Sequence, residues 1–137
     1  MKKVLCIGSV TTDVIIKPVD ALPTPGELQF IDSSSMFVGG CASNASIDLA
    51  KLGVPVSLCV KLGKDLFGHF VYDTCKEAGV DVRGCVMDEG VQTTTSIVCV
   101  NSDGERSFLY NGGSTSAMTD KDISDELIAD ADIVFLA

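Results

Sequence analysis

A chain of 137 residues that is 46% hydrophobic and 21% charged has the size and composition of one folded domain, not of a disordered segment. Its formal net charge of −9, from ten Lys and Arg against nineteen Asp and Glu, excludes nucleic acid and anionic membrane as main partners, since both need a cationic surface. A small polar ligand needs only a few local donors and stays open. The six cysteines (Cys6, Cys41, Cys59, Cys75, Cys85 and Cys99) stand singly, mostly among apolar neighbours, and none has the short spacing that grips zinc. With no secretory signal pattern, they are expected as reduced thiols of a cytoplasmic protein. No apolar run is long enough to span a bilayer.

Val4-Leu5-Cys6-Ile7 is continuously apolar and ends at Gly8, the pattern of a parallel strand buried on both faces. Val14-Ile15-Ile16 extends the apolar run as far as Pro18. From Pro18 to Phe37, three prolines, Gly26 and a serine run read as turns and short strands with an exposed face. After Gly39-Gly40 the period becomes helical, with Ala42, Ala45, Leu49 and Leu52 on one side and Gly53 and Pro55 closing the segment. Val56 to Val60 is a second buried strand. Asp65 caps a second helix in which Leu66, Phe70 and Cys75 face inward until Gly79. Two β-rich runs, Thr93–Val100 and Ser107–Tyr110, flank Asn101-Ser102-Asp103-Gly104 and predict a hairpin. Thr119, with Asp122 three residues on, predicts a capped helix over 120–130. Asp132 to Ala137 reads as a further buried strand. Because an uncovered apolar edge invites aggregation, a chain ending there is expected to be a truncated or cleaved piece of a longer domain.

Nucleotide signatures are missing where they would be sought. Gly63-Lys64 is followed by Asp65 and lacks the earlier glycine of a Walker loop. The first strand leads into Gly8-Ser9-Val10-Thr11-Thr12-Asp13, not the glycine fingerprint of a dinucleotide site. The single histidine, His69, beside Phe70, reads as a surface or packing residue. Asp13 stands at the carboxyl end of the first strand, where open α/β sheets bind ligands, and a carboxylate there accepts two hydroxyl hydrogen bonds. The same position also suits a capping aspartate. Gly39-Gly40 lets a backbone approach a ligand and offers amides at a helix start, with tight packing as the alternative use. Asn44 lies one turn in; asparagine is a poor helix former that both donates and accepts, so it strengthens the ligand reading. Gly63-Lys64-Asp65-Leu66-Phe67-Gly68 reads as architecture. Arg106 reads as a rim charge that reaches a ligand only if the hairpin folds over the site.

In this order the motifs resemble the N-terminal half of the ribokinase-type (PfkB) carbohydrate kinases. The matches are Gly8 to Asp13, Gly39-Gly40-x-x-x-Asn44, Leu52-Gly53, Gly63-x-Asp65-x-x-Gly68 and the Gly104-Glu105-Arg106 hairpin. The resemblance implies an α/β, Rossmann-like sheet with flanking helices and a small β-sheet lid, formed by segments of about 14–37 and 82–114. It implies ATP-dependent phosphorylation of a sugar or sugar-acid hydroxyl, with Asp13, Gly39, Gly40 and Asn44 holding the acceptor and Arg106 a second-rank contact. ATP and Mg2+ are the implied cofactors of the complete protein, with a monovalent cation as a further candidate and a homodimer through the lid as a candidate assembly. The family's glycine-rich Asp motif, which carries the catalytic base and the anion hole, is absent from these 137 residues, as are the nucleotide- and magnesium-contacting segments. The chain is therefore expected to bind acceptor and not to catalyse transfer alone. Cys41, where several members carry a polar residue, leaves the acceptor open. A nucleoside kinase of the same family, a non-catalytic metabolite-binding or regulatory module and an oligomerisation domain are the alternatives.

Overall fold

The computed structural model describes all residues, 1–137. The continuous apolar runs become a parallel sheet. Strands β1 (Val4–Ile7), β4 (Val56–Gly63), β5 (Asp81–Asp88) and β8 (Ile133–Leu136) lie in the order β5-β4-β1-β8, every pair parallel. Successive side chains feed two different cores. Val4 and Cys6 join Leu58, Val60 and Leu62 beneath α1 (Cys41–Lys51) and α2 (Leu66–Glu77). Leu5, Ile7 and Cys59 pack on the other face against Leu127 of α4 (Asp125–Asp130). Cover on both faces is why β1 and most of β4 show no polar alternation. The edge strand β8 forms as an apolar run but departs from the expectation of burial: all four of its residues are exposed, Leu136 by 71%.

Helix α1 settles close to the sheet because its buried face is small: Ala42, Ser43 and Ser46. The two buried hydroxyls donate to carbonyls one turn back, Ser43 to Gly39 (2.6 Å) and Ser46 to Ser43 (2.7 Å), so neither is left unpaired. Leu52, expected on that face, is 78% exposed beyond the last turn. Leu66 also departs from expectation: as the first residue of α2 it is 87% exposed, and the inward stripe is Gly68, Val71 and Cys75.

A second, smaller sheet stands beside the first. It contains β2 (Thr11–Lys17), β3 (Ser33–Gly39), β6 (Thr95–Val100) and β7 (Arg106–Asn111) in the order β3-β2-β6-β7. Strand β2 runs antiparallel to β3 and parallel to β6, and β6-β7 is the expected hairpin. Its turn is tied by the Asn101 carboxamide oxygen, which accepts from the amides of Asp103 (3.1 Å) and Glu105 (2.8 Å). Val14-Ile15-Ile16 therefore does not extend β1; the chain turns at Gly8 and crosses into the second sheet. The second segment of that sheet is also shorter than 82–114, since Asp81–Asp88 pairs with β4 in the parallel sheet.

The expected helix over 120–130 is two pieces. A 3-10 turn, Asp120–Asp122, carries the full reciprocal capping box of Thr119 and Asp122, while Ser124 caps α4 separately by accepting from Leu127 N (3.3 Å). Two good caps five residues apart compete, and Ile123 between them is extended. A one-turn helix, α3 (Gly113–Ser116), follows β7. All six cysteines are free thiols. No helix is long and apolar enough to cross a membrane.

Candidate functional site

The carboxyl end of β1, the start of β2, the end of β3 and the start of α1 meet at one rim. Asp13 sits on β2 with its carboxylate over the backbone of Gly39 at the end of β3. A Cβ at Gly39 would lie 2.3 Å from Asp13 Oδ2 and 2.9 Å from its Cγ, so only glycine leaves room for that carboxylate. Gly40, the N-cap of α1, has φ of 95°, a conformation that side-chain-bearing residues avoid. A Cβ there would also strike Ser9 O and Val10 Cα, both at 2.6 Å. Asn44, one turn into α1, is exposed. Of the residues that sequence reasoning groups, the structure sets Gly39 against the Asp13 carboxylate, with Gly40 next in the chain and Asn44 one turn further along α1.

Asp13 is a half-buried carboxylate. Burial pushes its pKa above the ordinary carboxylate range, and no hydrogen bond or cation offsets the shift. Such a group is poised to accept hydrogen bonds from a ligand that brings its own hydroxyl donors.

One expectation about the helix start is corrected. Two of its amides are taken within the chain: Cys41 N donates to the Ser9 hydroxyl (3.0 Å) and Ala42 N to the Ser9 carbonyl (3.2 Å). Ser9 thus does for α1 what the bare Gly40 cannot. With those two donors closed and a carboxylate alongside, the cradle suits hydroxyl donors better than an anionic group.

Arg106 is not brought to this group. In the ladder, Asp13 pairs with Ser96 and Ser96 with Tyr110, whereas Arg106 pairs with Val100 at the opposite end of β6. Four positions along the strands and two strands across put it about 13 Å by about 10 Å from Asp13. The row that does accompany Asp13 is Phe37, Ser96 and Tyr110, directly paired and hence on its face of the sheet. Sequence reasoning missed Ser96, Tyr110 and Ser9. The Gly8–Asp13 segment signalled Ser9, but the other two emerge only from strand register.

A cavity of about 870 Å³ lies elsewhere. Its walls include Met36, Thr95, Ile97, Leu109 and Tyr110 with Leu66 and Phe67 of α2, and neither Asp13 nor Asn44 borders it. Because Met36 and Ile97 pair with Val14, next in sequence to Asp13, these walls of the cavity belong to the reverse face of the small sheet, and Tyr110 is the one residue of the Asp13 row that also borders it. Chemistry, not volume, marks the site.

The whole of the chain, residues 1–137, matches the family model described as pfkB family carbohydrate kinase. Fructokinase-2 of Oryza sativa subsp. japonica is 34% identical over 97 residues, 69% of this chain and 29% of that relative. The ATP-dependent ribose-1-phosphate kinase of Halopiger xanaduensis is 35% identical over 136 residues, 99% of this chain and 46% of that relative. Ribokinase of Arabidopsis thaliana, solved with ribose and ATP, aligns with a TM-score of 0.87 at 26% identity, covering 98% of this chain and 45% of that one. The chain spans less than half the length of these relatives.

Proposed function

We propose that this chain, which belongs to the pfkB family of carbohydrate kinases, forms the acceptor-binding cradle and covering sheet of a kinase that transfers the γ-phosphoryl group of ATP to a hydroxyl of a sugar or sugar acid. The observation that carries the reading is the unpaired, half-buried Asp13 carboxylate pressed over Gly39, with the exposed Asn44 amide on the adjoining helix. One carboxylate accepts two hydroxyl donors, and one carboxamide both donates and accepts, which is the pattern adjacent ring hydroxyls require. Neither group favours a ligand carboxylate. Arg106 is the residue that would, and its place at the far end of the small sheet makes the hydroxyls the main determinant.

The small sheet stands beside the cradle, where it excludes water that would compete as acceptor. The chain contributes binding and cover, and the phosphoryl chemistry belongs to segments outside these 137 residues. A homodimer through the small sheet remains part of this proposal, supported by its exposed apolar Phe108, Leu109 and Tyr110.

The test is titration calorimetry of the chain with D-fructose, D-ribose and their acid derivatives. At least one should bind, and Asp13→Ala and Asn44→Ala should each weaken it about 10- to 100-fold, the worth of one or two hydrogen bonds to the ligand. Unchanged affinity in both variants would leave the cradle with no role in recognition.

A further inference from the structure

Four short segments carry the chain between the two sheets: Gly8–Val10, Gly40, residues 89–94, and Gly112–Gly113. The cradle draws residues from both sides of this rim, with Asp13 and Ser96 on the small sheet and Asn44 on α1. The angle between the sheets therefore decides whether one ligand touches all of them.

The third crossing is held by side chains pointing in opposite directions. Thr93 and Thr94 are 1% and 0% exposed and adjacent in extended chain. Thr94 turns toward α3: its hydroxyl donates to Gly112 O (2.9 Å) and accepts from Thr115 N (2.9 Å). The Thr115 hydroxyl in turn donates to Val10 O (3.0 Å), tying in the first crossing. Thr93 turns toward β4 and α2. Its amide donates to Asp65 Oδ2 (2.9 Å), its hydroxyl donates to Asp65 Oδ1 (2.7 Å), and that hydroxyl accepts from Gly63 N (2.9 Å).

Asp65 also caps α2 by accepting from Gly68 N (2.8 Å). Capping alone needs one acceptor, which Ser or Asn supplies as well. The second oxygen and the surrounding glycines serve Thr93. A Cβ at Gly68 would lie 2.0 Å from Gly63 O and 2.8 Å from the Thr93 hydroxyl, and one at Gly63 would lie 2.5 Å from Thr93 N and 2.8 Å from Asp65 Oδ2. Neither glycine has positive φ, so both are needed for space and not for backbone freedom. The motif Gly63-x-Asp65-x-x-Gly68 is shaped around a residue twenty-five positions beyond its last glycine.

We propose that Asp65 is a positioning residue: through Thr93 it fixes the small sheet on the α2–β4 frame and so sets how Asp13 and Ser96 face Asn44. Its functional consequence rests on the acceptor reading above; the contact itself does not. Burial alone would raise the Asp65 pKa, but the hydrogen bonds from Thr93 and Gly68 outweigh it and hold the carboxyl below its ordinary range, as expected of a charge used as a fixed acceptor.

Hydrogen exchange on the chain separates pin from cap. Asp65→Ser keeps a capping hydroxyl and is too short to reach Thr93, Thr93→Val keeps Asp65 and removes the hydroxyl, and Thr93→Ser restores it. Amides of 93–99 should exchange at least tenfold faster in Asp65→Ser and in Thr93→Val, with α2 beyond its first turn unchanged and Thr93→Ser close to wild type. Faster exchange confined to the first turn of α2, or Thr93→Ser behaving as Thr93→Val, would overturn the proposal. Should Asp65→Ser fail to fold, the Thr93 pair still decides. D-ribose and D-fructose are then titrated into the same variants: a sugar that binds the wild type should bind Asp65→Ser about tenfold more weakly, and equal affinity would refute the positioning role. No binding to the wild type would count against the acceptor reading, while the exchange comparison still judges Asp65.

Discussion

Asp13 holds its charge at the expense of the fold. Its pKa is raised in the folded chain by burial, so the native state binds a proton more tightly than the unfolded one. The penalty is absent well below the ordinary carboxylate pKa of about 4 and is fully present above the raised native value. Asp13→Asn should therefore melt at a higher temperature than wild type at pH 7, with the gain shrinking as pH falls from the raised native value toward about 4 and absent well below it, while ligand affinity is lost. A calorimetric pH series on both proteins checks this; a variant less stable at pH 7 would show that the carboxylate is paid for by contacts other than a ligand's. Gly39 belongs to the same residue-scale account, since its missing side chain is the space the carboxylate occupies. The sequence made Asp13, the two glycines and Asn44 legible because close backbone approach and a polar residue near a helix start have local signatures. Ser96 and Tyr110 have none; their relation to Asp13 exists only in the ladder.

At the scale of elements, legibility followed the range of the cause. Strands β1 and β4 were readable because burial on both faces makes them largely apolar, and the β6-β7 hairpin because its turn residues adjoin; the apolar run of β8 marked a strand, but its expected burial is absent. Strand β5 was misassigned to the small sheet because its composition does not tell which neighbour it pairs with. The region 119–130 was misread for a different reason: each cap was visible, but their competition was not. The outcome leaves α4 only six residues long, far too short to be stable on its own. Leu127, 5% exposed and packed with Leu5, Ile7 and Cys59, is what docks it. Leu127→Ala should cost about 2–5 kcal/mol in urea unfolding. A loss below about 1 kcal/mol would mean that α4 is held by its cap and neighbours and not by this core contact.

The whole molecule is two sheets of unequal security. The parallel sheet has cores on both faces of β1 and β4, with only its edge strand β8 exposed, whereas the small sheet leaves Met36, Phe37, Phe108 and Leu109, on two of its strands, between 44% and 58% exposed. The small sheet is made of two separate stretches, β2-β3 and β6-β7, each leaving the parallel sheet and returning to it. A cut in its outer loop should therefore release nothing. Chymotrypsin should cleave at the exposed Leu28 or Phe30, and the two pieces should elute together on native gel filtration and separate only in denaturant. Dissociation of the nicked chain would show that the β2-β3 stretch is bound more loosely than its ladder suggests. The same threading separates two evolutionary pressures. Insertions or substitutions at the outer turns do not pass through the parallel-sheet core, so that end of the small sheet can change its surface while the folding of the core does not.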